Sequence, residues 1–350
     1  MNILQISFHT APMNSLGVND GGGLNVYVES ISRELAKDNI VHIITGEQAK
    51  NISKKNLKLS SFNLFTNQAN TEEKKEFLDE FIEKTFQYIE EHEIDVVHAH
   101  YWLSGLVAKE IKQRYKIPFI FTSHSLGVFI QENGLDRISA EKEIFNSADK
   151  ITASSQFEKE NLLNRYGADK LKIHIVTPGL NEKTFKAFRG EKRKNIILSV
   201  GRIQKQKGQL QTLDLFKNLQ YRIKGLELIF VGGPSGADGE AYLTKMKNKI
   251  EELRIEEDVQ FVGSLSQKKL VKLMRKSKLL IHSAESETFG LVAIEAHRSG
   301  LPVLSTNQGS FKEIISNNED GLVSKSFEDI QVYDFIIKLF ENEEYRSQLI

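Results

Sequence analysis

The chain contains no cysteine. Disulfides, thiolate metal sites and cysteine nucleophiles are excluded on that count, while the redox compartment stays undetermined. Proline is sparse, at five in 350 residues, and tryptophan occurs once. An excess of charge is also missing, since Lys+Arg and Asp+Glu both number 47. A broad electrostatic surface for nucleic acid is therefore not expected. No apolar run approaches the roughly 20 residues that span a bilayer. The first residues enter an apolar strand directly, without a basic n-region, a long h-region or a cleavage site. A cytoplasmic protein is expected, with no transmembrane segment and with peripheral membrane contact left open. No H-E-x-x-H or close carboxylate cluster marks a metal site.

What is present is an alternation of short apolar runs with amphipathic stretches. Strands are expected at residues 2–7, 41–45, 94–98, 118–123, 150–153 and 173–176, with 57–62 as a further strand or an edge. Helices fall between them at 24–37, 71–91, 103–114, 138–145 and 156–166. Thr71 is the expected N-cap of the long one, and Phe77, Phe81, Ile82, Phe86 and Ile89 form its apolar stripe. The pattern lapses into a charged, irregular stretch at 178–194 and then restarts, with strands at 196–200, 227–231, 259–262, 279–282, 302–305 and 321–323. Such alternation argues for parallel sheets covered on both faces. The fold class expected is α/β, with two doubly wound, Rossmann-like domains facing across a cleft. Their bounds are 1–180 and 195–350, joined by a linker at 181–194.

In doubly wound sheets ligands bind beyond the carboxyl ends of the strands. Polar residues that follow strands are thus the candidates. Gly21-Gly22-Gly23 follows the first strand but lacks the G-x-G-x-x-G spacing of a dinucleotide fingerprint, and a plain turn is the simpler reading. His98, His100, Tyr101 and Trp102 form an imidazole and aromatic cluster that could line a sugar pocket, though core and rim packing is the safer reading of Trp102. His124 follows the next strand; an isolated buried histidine is more often a satisfied structural group. In the second half Arg202 and Lys207 share one loop, where a fork and a point charge can together neutralise a diphosphate. Two basic residues in a loop are also commonplace. Lys54-Lys55 and the run Lys192-Arg193-Lys194 read as solvated charge.

The most informative stretch is S-A-E-S-E-T-F-G-L-V-A-I-E at residues 283–295. A strand ends, a polar loop carries Glu287, and a helix opens near Gly290. Glu295 then lies about a turn and a half inside that helix. Unpaired N–H groups at the helix start favour an anion such as phosphate. One carboxylate can accompany the phosphate end of a ligand while the other accepts from hydroxyls. Solvated surface carboxylates are the bland alternative.

Taken in order, these motifs resemble the retaining glycosyltransferases of family 4, which have the two-domain GT-B fold. The resemblance rests on G-G-L-N-V-Y-V at 22–28, H-A-H-Y-W-L-S-G at 98–105, T-S-H-S-L-G at 122–127 and P-G at 178–179. It continues with G-R-x4-K-G at 201–208, V-G-G-P-S-G at 231–236 and E-x7-E from Glu287 to Glu295. The sucrose-phosphate synthase and inositol-phosphate glycosyltransferase branches look most similar. The resemblance implies that Arg202 and Lys207 hold the donor diphosphate, which Gly22, Gly23 and Gly233 also approach. Glu295 would accept from the ribose hydroxyls, and Glu287 with Phe289, Gly290 and Leu291 would hold the donor sugar and phosphate. His124 would contact the sugar near the reacting carbon, giving His124, Glu287, Arg202 and Lys207 as the catalytic set. Asn25, Tyr101 and Arg137 match acceptor-contacting positions.

The implied activity is metal-independent, retaining transfer from a nucleotide sugar, UDP-linked by family frequency, to a small polar hydroxyl acceptor, phosphorylated or not. The nucleotide sugar is a co-substrate, and no cofactor or metal is required. A lipid or polysaccharide acceptor and a non-catalytic nucleotide-sugar sensor are the alternatives; a dinucleotide oxidoreductase is disfavoured. Two departures stand out. Val128 occupies a position where sucrose-phosphate synthases tend to be basic. The sequence also ends at Ile350, where family members usually continue into a helix returning to the first domain; either the sequence is cut short or the interdomain clasp is weaker, and a mobile domain arrangement is expected.

Overall fold

The computed structural model describes residues 1–13, 22–129, 134–187, 192–236 and 238–349, with side chains from 136 onward in the helix that begins at 134. Two compact units result, Met1–Pro178 and Gly179–Ile350. In the first, the order is β1 (Asn2–Ile6), α1 (Gly23–Leu35), β2 (Ile40–Glu47), β3 (Ile52–Lys54), β4 (Leu57–Phe65), α2 (Thr71–Lys75), α3 (Leu78–Glu91) and β5 (Val96–His100). There follow α4 (Trp102–Tyr115), β6 (Phe119–Thr122), α5 (Gly134–Ser147), β7 (Lys150–Ala153), α6 (Gln156–Tyr166) and β8 (Ile173–Ile175). The sheet runs β3-β4-β2-β1-β5-β6-β7-β8. All its pairings are parallel except the β3–β4 hairpin, which forms one edge. The run at 57–62 is thus an interior strand, and β3 is the edge that its short polar sequence hid.

Two further expectations are corrected. The helix expected at 71–91 is broken between Lys75 and Leu78, and its cap is Asn70, not Thr71. Asn70 accepts from the N–H groups of Glu72 and Glu73 while Glu73 returns a bond to the Asn70 N–H. That reciprocal box satisfies more helix-end donors than Thr71 could. The strand expected at 94–98 lies two residues later. Asp95 is spent on anchoring Asn2, and both His98 and His100 are inside the sheet with hydrogen-bond partners, so polar side chains concealed the strand's end.

The second unit runs β9 (Ile196–Val200), α7 (Gln209–Gln220), β10 (Glu227–Val231), α8 (Gly239–Leu253), β11 (Val259–Phe261), α9 (Gln267–Lys276) and β12 (Leu279–His282). It closes with α10 (Leu291–Arg298), β13 (Val303–Thr306), α11 (Phe311–Ile314), β14 (Gly321–Ser324), α12 (Ile330–Glu341) and α13 (Glu343–Gln348). Its six strands are all parallel, in the order β11-β10-β9-β12-β13-β14. The period-two geometry of a strand sends neighbouring residues to opposite faces. Accordingly Ile197, Leu279, Ile281 and Leu304 enter one core, and Ile196, Leu198, Leu280 and Val303 the other. Both faces are apolar because both are covered by helices. The first unit divides its β1 and β2 residues similarly, with Phe8 packing edge-on against Phe65 and Phe81 at 5.2 and 4.8 Å. Among the described residues no helix is long and apolar enough to cross a membrane.

Strand order reverses between β1 and β5 in one sheet and between β9 and β12 in the other. Those reversals are where an α/β sheet opens a crevice at its carboxyl edge. Of the stretch between the two alternating patterns, Phe185 is fully buried in the second unit's core. Arg193, read from sequence as solvated charge, donates to the carbonyls of Met274, Ser277 and Gly300 at 2.6–3.2 Å. Those acceptors close α9 and the turn before β13, where helix-end carbonyls lack intrahelical donors. Arg193→Ala is expected to lower stability by about 2 kcal/mol through lost charge-assisted bonds. Urea unfolding followed by circular dichroism measures this, and an unshifted midpoint would contradict it.

Candidate functional site

The second unit concentrates its candidate residues on the loops after β9, β10 and β12. The loop after β9 runs through Arg202, which is exposed, to Lys207 and Gly208. Gly208 has φ +63°, and a Cβ there would overlap the Ser283 carbonyl, so only glycine lets α7 start against the β12 loop. The Ser283 hydroxyl donates to the Lys207 carbonyl at 3.0 Å, Thr212 Oγ1 donates to Ser283 Oγ at 3.2 Å, and the Glu285 N–H donates to the Gln206 carbonyl at 2.9 Å. The β10 loop is joined in the same way: the Ile203 N–H donates to the Gly233 carbonyl at 2.8 Å and Gln204 Nε2 to the Ser235 carbonyl at 2.9 Å. Three strand-end loops thus form one hydrogen-bonded rim.

Lys207 Nζ lies 2.7 Å from Glu287 Oε2 on that rim, with both side chains about four-fifths buried (21% and 17% exposed). Burial alone would raise the carboxyl pKa. The Lys207 charge, aided by its hydrogen bond and by the Gly290 N–H, overrides that and holds Glu287 down to about 2. The Glu287 backbone is fixed from below. Its carbonyl accepts from the Ser310 N–H at 3.0 Å, and Gly309 passes so close that any Cβ would overlap the Glu287 carbonyl. Gly290 is the N-cap of α10, in the left-handed region at φ +79°. Phe289 is buried and Leu291 half-buried beside it. Glu295, on the second turn of α10, is 9% exposed, and burial pushes its carboxyl up to about 7. The structure therefore brings together Arg202, Lys207, Gly233, Glu287, Phe289, Gly290, Leu291 and Glu295 on adjacent loops and one helix of the second unit.

In the first unit the loops after β1, β5 and β6 carry the remaining candidates. Gly22 caps α1 and Gly23 is its first residue; Gly21 lies outside the described residues. Asn25 is buried, accepts from Thr10 Oγ1 and donates to the Ala11 carbonyl at 3.2 Å, which ties the β1 loop to α1. His124 has φ +58° and its Nε2 is 3.0 Å from His100 Nδ1, whose other ring nitrogen is 2.6 Å from Gln5 Oε1. Burial and neighbouring imidazoles lower these rings, His124 to about 3 and His98, by burial, to about 4, so all are neutral at pH 7. The Arg137 guanidinium donates to Glu141 at 2.7 Å, to the Ser125 carbonyl at 2.7 Å and to the Tyr101 hydroxyl at 3.2 Å. Arg137 and Tyr101 are thus adjacent, and Arg137's charge is largely met by the buried Glu141. Trp102 is core.

Sequence reasoning missed several supporting groups. Glu158, buried at the start of α6, accepts from Ser123 Oγ and from the Ser154 N–H, holding the turn that presents His124. His282 ends β12 immediately behind the Glu287 loop, and Gly309 and Ser310 lie beneath it. His282 could have been noticed as a histidine closing an otherwise apolar strand; the others carry no local signal.

Residues 21–184 match the family model described as Glycosyltransferase Family 4, and residues 181–350 match that described as Glycosyl transferases group 1. A D-inositol 3-phosphate glycosyltransferase from Nocardia farcinica is 31% identical over 93% of this chain and 78% of its own length. Another of that description, from Frankia alni, is 29% identical over 97% of this chain and 91% of its own. The sucrose-phosphate synthase structure from Thermosynechococcus elongatus shares the fold with a TM-score of 0.87 at 24% identity, covering 99% of this chain and 92% of that one. HepE from Anabaena, solved with UDP and glucose, gives 0.78 at 16% identity, with coverage of 100% and 92%.

Glu295 supplies a pH test of the site's electrostatics. Its folded pKa, about 7, exceeds its ordinary value of 4.5, so the folded state keeps a proton that the unfolded chain has released. Wild-type stability should fall relative to Glu295→Gln as pH rises from 4.5 through 7 and then level off. The difference should reach about 3 kcal/mol. Chemical denaturation of both proteins across pH 4–9 checks this, and parallel pH profiles would contradict it.

Proposed function

The chain belongs to glycosyltransferase family 4, and we propose that it moves a sugar from a UDP-linked donor to a hydroxyl of a small, polar, phosphorylated acceptor. Transfer proceeds with retention and requires no metal. The observation that carries this reading is the Lys207–Glu287 pair, held at 2.7 Å on the rim where the strand order of the second sheet reverses. Breaking the bond between the anomeric carbon and the diphosphate leaves positive charge on the sugar and negative charge on the departing phosphate. Lys207, held by Glu287, and the exposed Arg202 are the cations on that rim for the leaving charge, and the N-terminus of α10 adds its dipole. Because these cations can neutralise a diphosphate themselves, a divalent ion is not needed.

Glu287 holds the donor sugar, and its low pKa keeps it ionised across the physiological range. Glu295 accepts from the ribose hydroxyls. Gly233, Phe289 and Leu291 offer backbone N–H groups to the phosphates, and Gly290, whose own N–H is turned to Glu287, allows close approach, as do Gly22 and Gly23. His124 is a neutral group for the sugar near its reacting carbon. The acceptor oxygen attacks the face that the diphosphate leaves, its proton passes to the departing phosphate oxygen, and the new glycosidic bond keeps the donor's configuration. Asn25, Tyr101 and Arg137 form the acceptor set. The choice of a phosphorylated polyol as acceptor is supported by relatives named D-inositol 3-phosphate glycosyltransferases, and that of UDP by HepE, solved with UDP and glucose.

The test combines thermal shift with product analysis. UDP-sugars should raise the melting temperature by mass action. With an inositol phosphate as acceptor, wild type should form a glycoside of unchanged anomeric configuration, with or without EDTA. Lys207→Ala and Glu287→Ala should lower turnover by about 10²-fold or more while remaining folded. Donor binding without turnover across a broad acceptor panel would contradict the enzymatic reading and leave a sensor.

A further inference from the structure

His282 has no part in the reaction as described, yet it occupies an expensive position. It is the last residue of β12 and is 5% exposed. Its ring packs on Phe311, with centroids 4.8 Å apart at 55°. Phe311 is itself fully buried and lies under Gly290, where an added Cβ would meet it at 3.0 Å. The imidazole is therefore packed into the core beside Phe311. Its Nε2 stands 3.6 Å from Glu287 Oε2, while its Nδ1 is buried with no hydrogen-bond partner among the described residues. A buried, unpaired ring nitrogen costs stability that an apolar side chain of similar size would not. Packing alone does not account for a histidine here.

We infer that His282 is a positioning residue for Glu287, holding its carboxylate in place while Lys207 shares its charge with the donor diphosphate. This rests on the roles of Lys207 and Glu287 proposed above. In the structure Glu287 is compensated by Lys207 and the Gly290 N–H. An arriving diphosphate draws on the same ammonium, and a carboxylate only 17% exposed then loses part of its partner. The Glu287 backbone is pinned by Ser310 and Gly309, so adjustment falls to its side chain. The His282 ring is a side-chain donor close to that carboxylate, with its Nε2 facing Glu287 Oε2. Burial and the nearby Lys207 charge keep it neutral, with a pKa of about 4, so it offers an N–H without adding a charge that would compete with Lys207. The 3.6 Å gap is just beyond hydrogen-bond length. Hydrogen bonds that are long in an unliganded site commonly tighten when the reacting complex forms.

The test is steady-state kinetics of the full chain with UDP-glucose and an inositol phosphate, read as UDP release, together with thermal unfolding. His282→Leu should lower kcat by about tenfold with donor KM changed by less than about twofold, the signature of an interaction realised in the transition state. Its melting temperature should equal or exceed that of wild type, because an unpaired polar atom has been removed. His282→Gln, whose amide N–H reaches toward Glu287, should recover kcat to within about threefold of wild type. Should the Leu variant not fold, His282→Asn, whose amide stops short of Glu287, takes its place against Gln. A Leu variant with wild-type kcat, a raised KM at constant kcat, or activity falling in step with melting temperature without rescue by Gln would each overturn the inference. Wild type that binds UDP-glucose without turnover, or does not bind it, would instead bring down the functional reading on which the inference rests.

Discussion

Lys207 and Glu287 are 80 residues apart in sequence and 2.7 Å apart in space. Neither charge would sit where it does alone. Burial disfavours the Glu287 carboxylate and strips hydration from the ammonium, and their contact offsets both costs. Removing one partner leaves an uncompensated charge, a loss on the order of 3 kcal/mol. The pair also pulls a loop after β9 against a loop after β12, the two strands flanking the reversal of strand order. Gly208 permits the contact by letting α7 begin directly on the Ser283 backbone. The same ion pair that fixes the rim thus presents a cation and an anion to whatever enters above it. A nucleoside diphosphate carrying a sugar suits that arrangement, with negative charge at one end and hydroxyls at the other.

The two sheets use their reversal points differently. The second unit meets its polar side chains with opposite charge, as at Lys207 and Glu287, or leaves them buried and strained toward neutrality, as at Glu295. The first unit instead pairs neutral groups: Gln5, His100 and His124 form a buried chain, and Arg137 is largely neutralised by Glu141. A charge-rich rim suits an anionic ligand such as a diphosphate.

Much of this was legible in the chain. Continuous apolar runs announced the parallel strands, because strands covered on both faces need no polar side. Glu287, Gly290 and Glu295 could be placed on a loop and a helix start from local spacing alone, and Arg202 with Lys207 likewise. What was illegible follows from groups that act against their type or at long range. His98 and His100 look like the end of a strand, yet they are inside it because Thr122 and Gln5 satisfy them. Thr71 and Asn70 are both good caps, and only the return bond from Glu73 decides between them. Arg193 looks like solvated charge until the carbonyls of Met274, Ser277 and Gly300 are seen around it. No sequence rule pairs Lys207 with Glu287, or sets His282 behind them.

The central claim is that a nucleoside diphosphate seats on the rim made by the β9 and β12 loops. Backbone hydrogen–deuterium exchange of the full chain, with and without saturating UDP, tests it most directly. UDP should slow exchange in the loop containing Arg202 and Lys207 and at the start of α10 around Gly290, while the β3–β4 hairpin is unaffected. Binding that leaves those two segments unchanged, or that protects a different part of the second unit, would contradict the account.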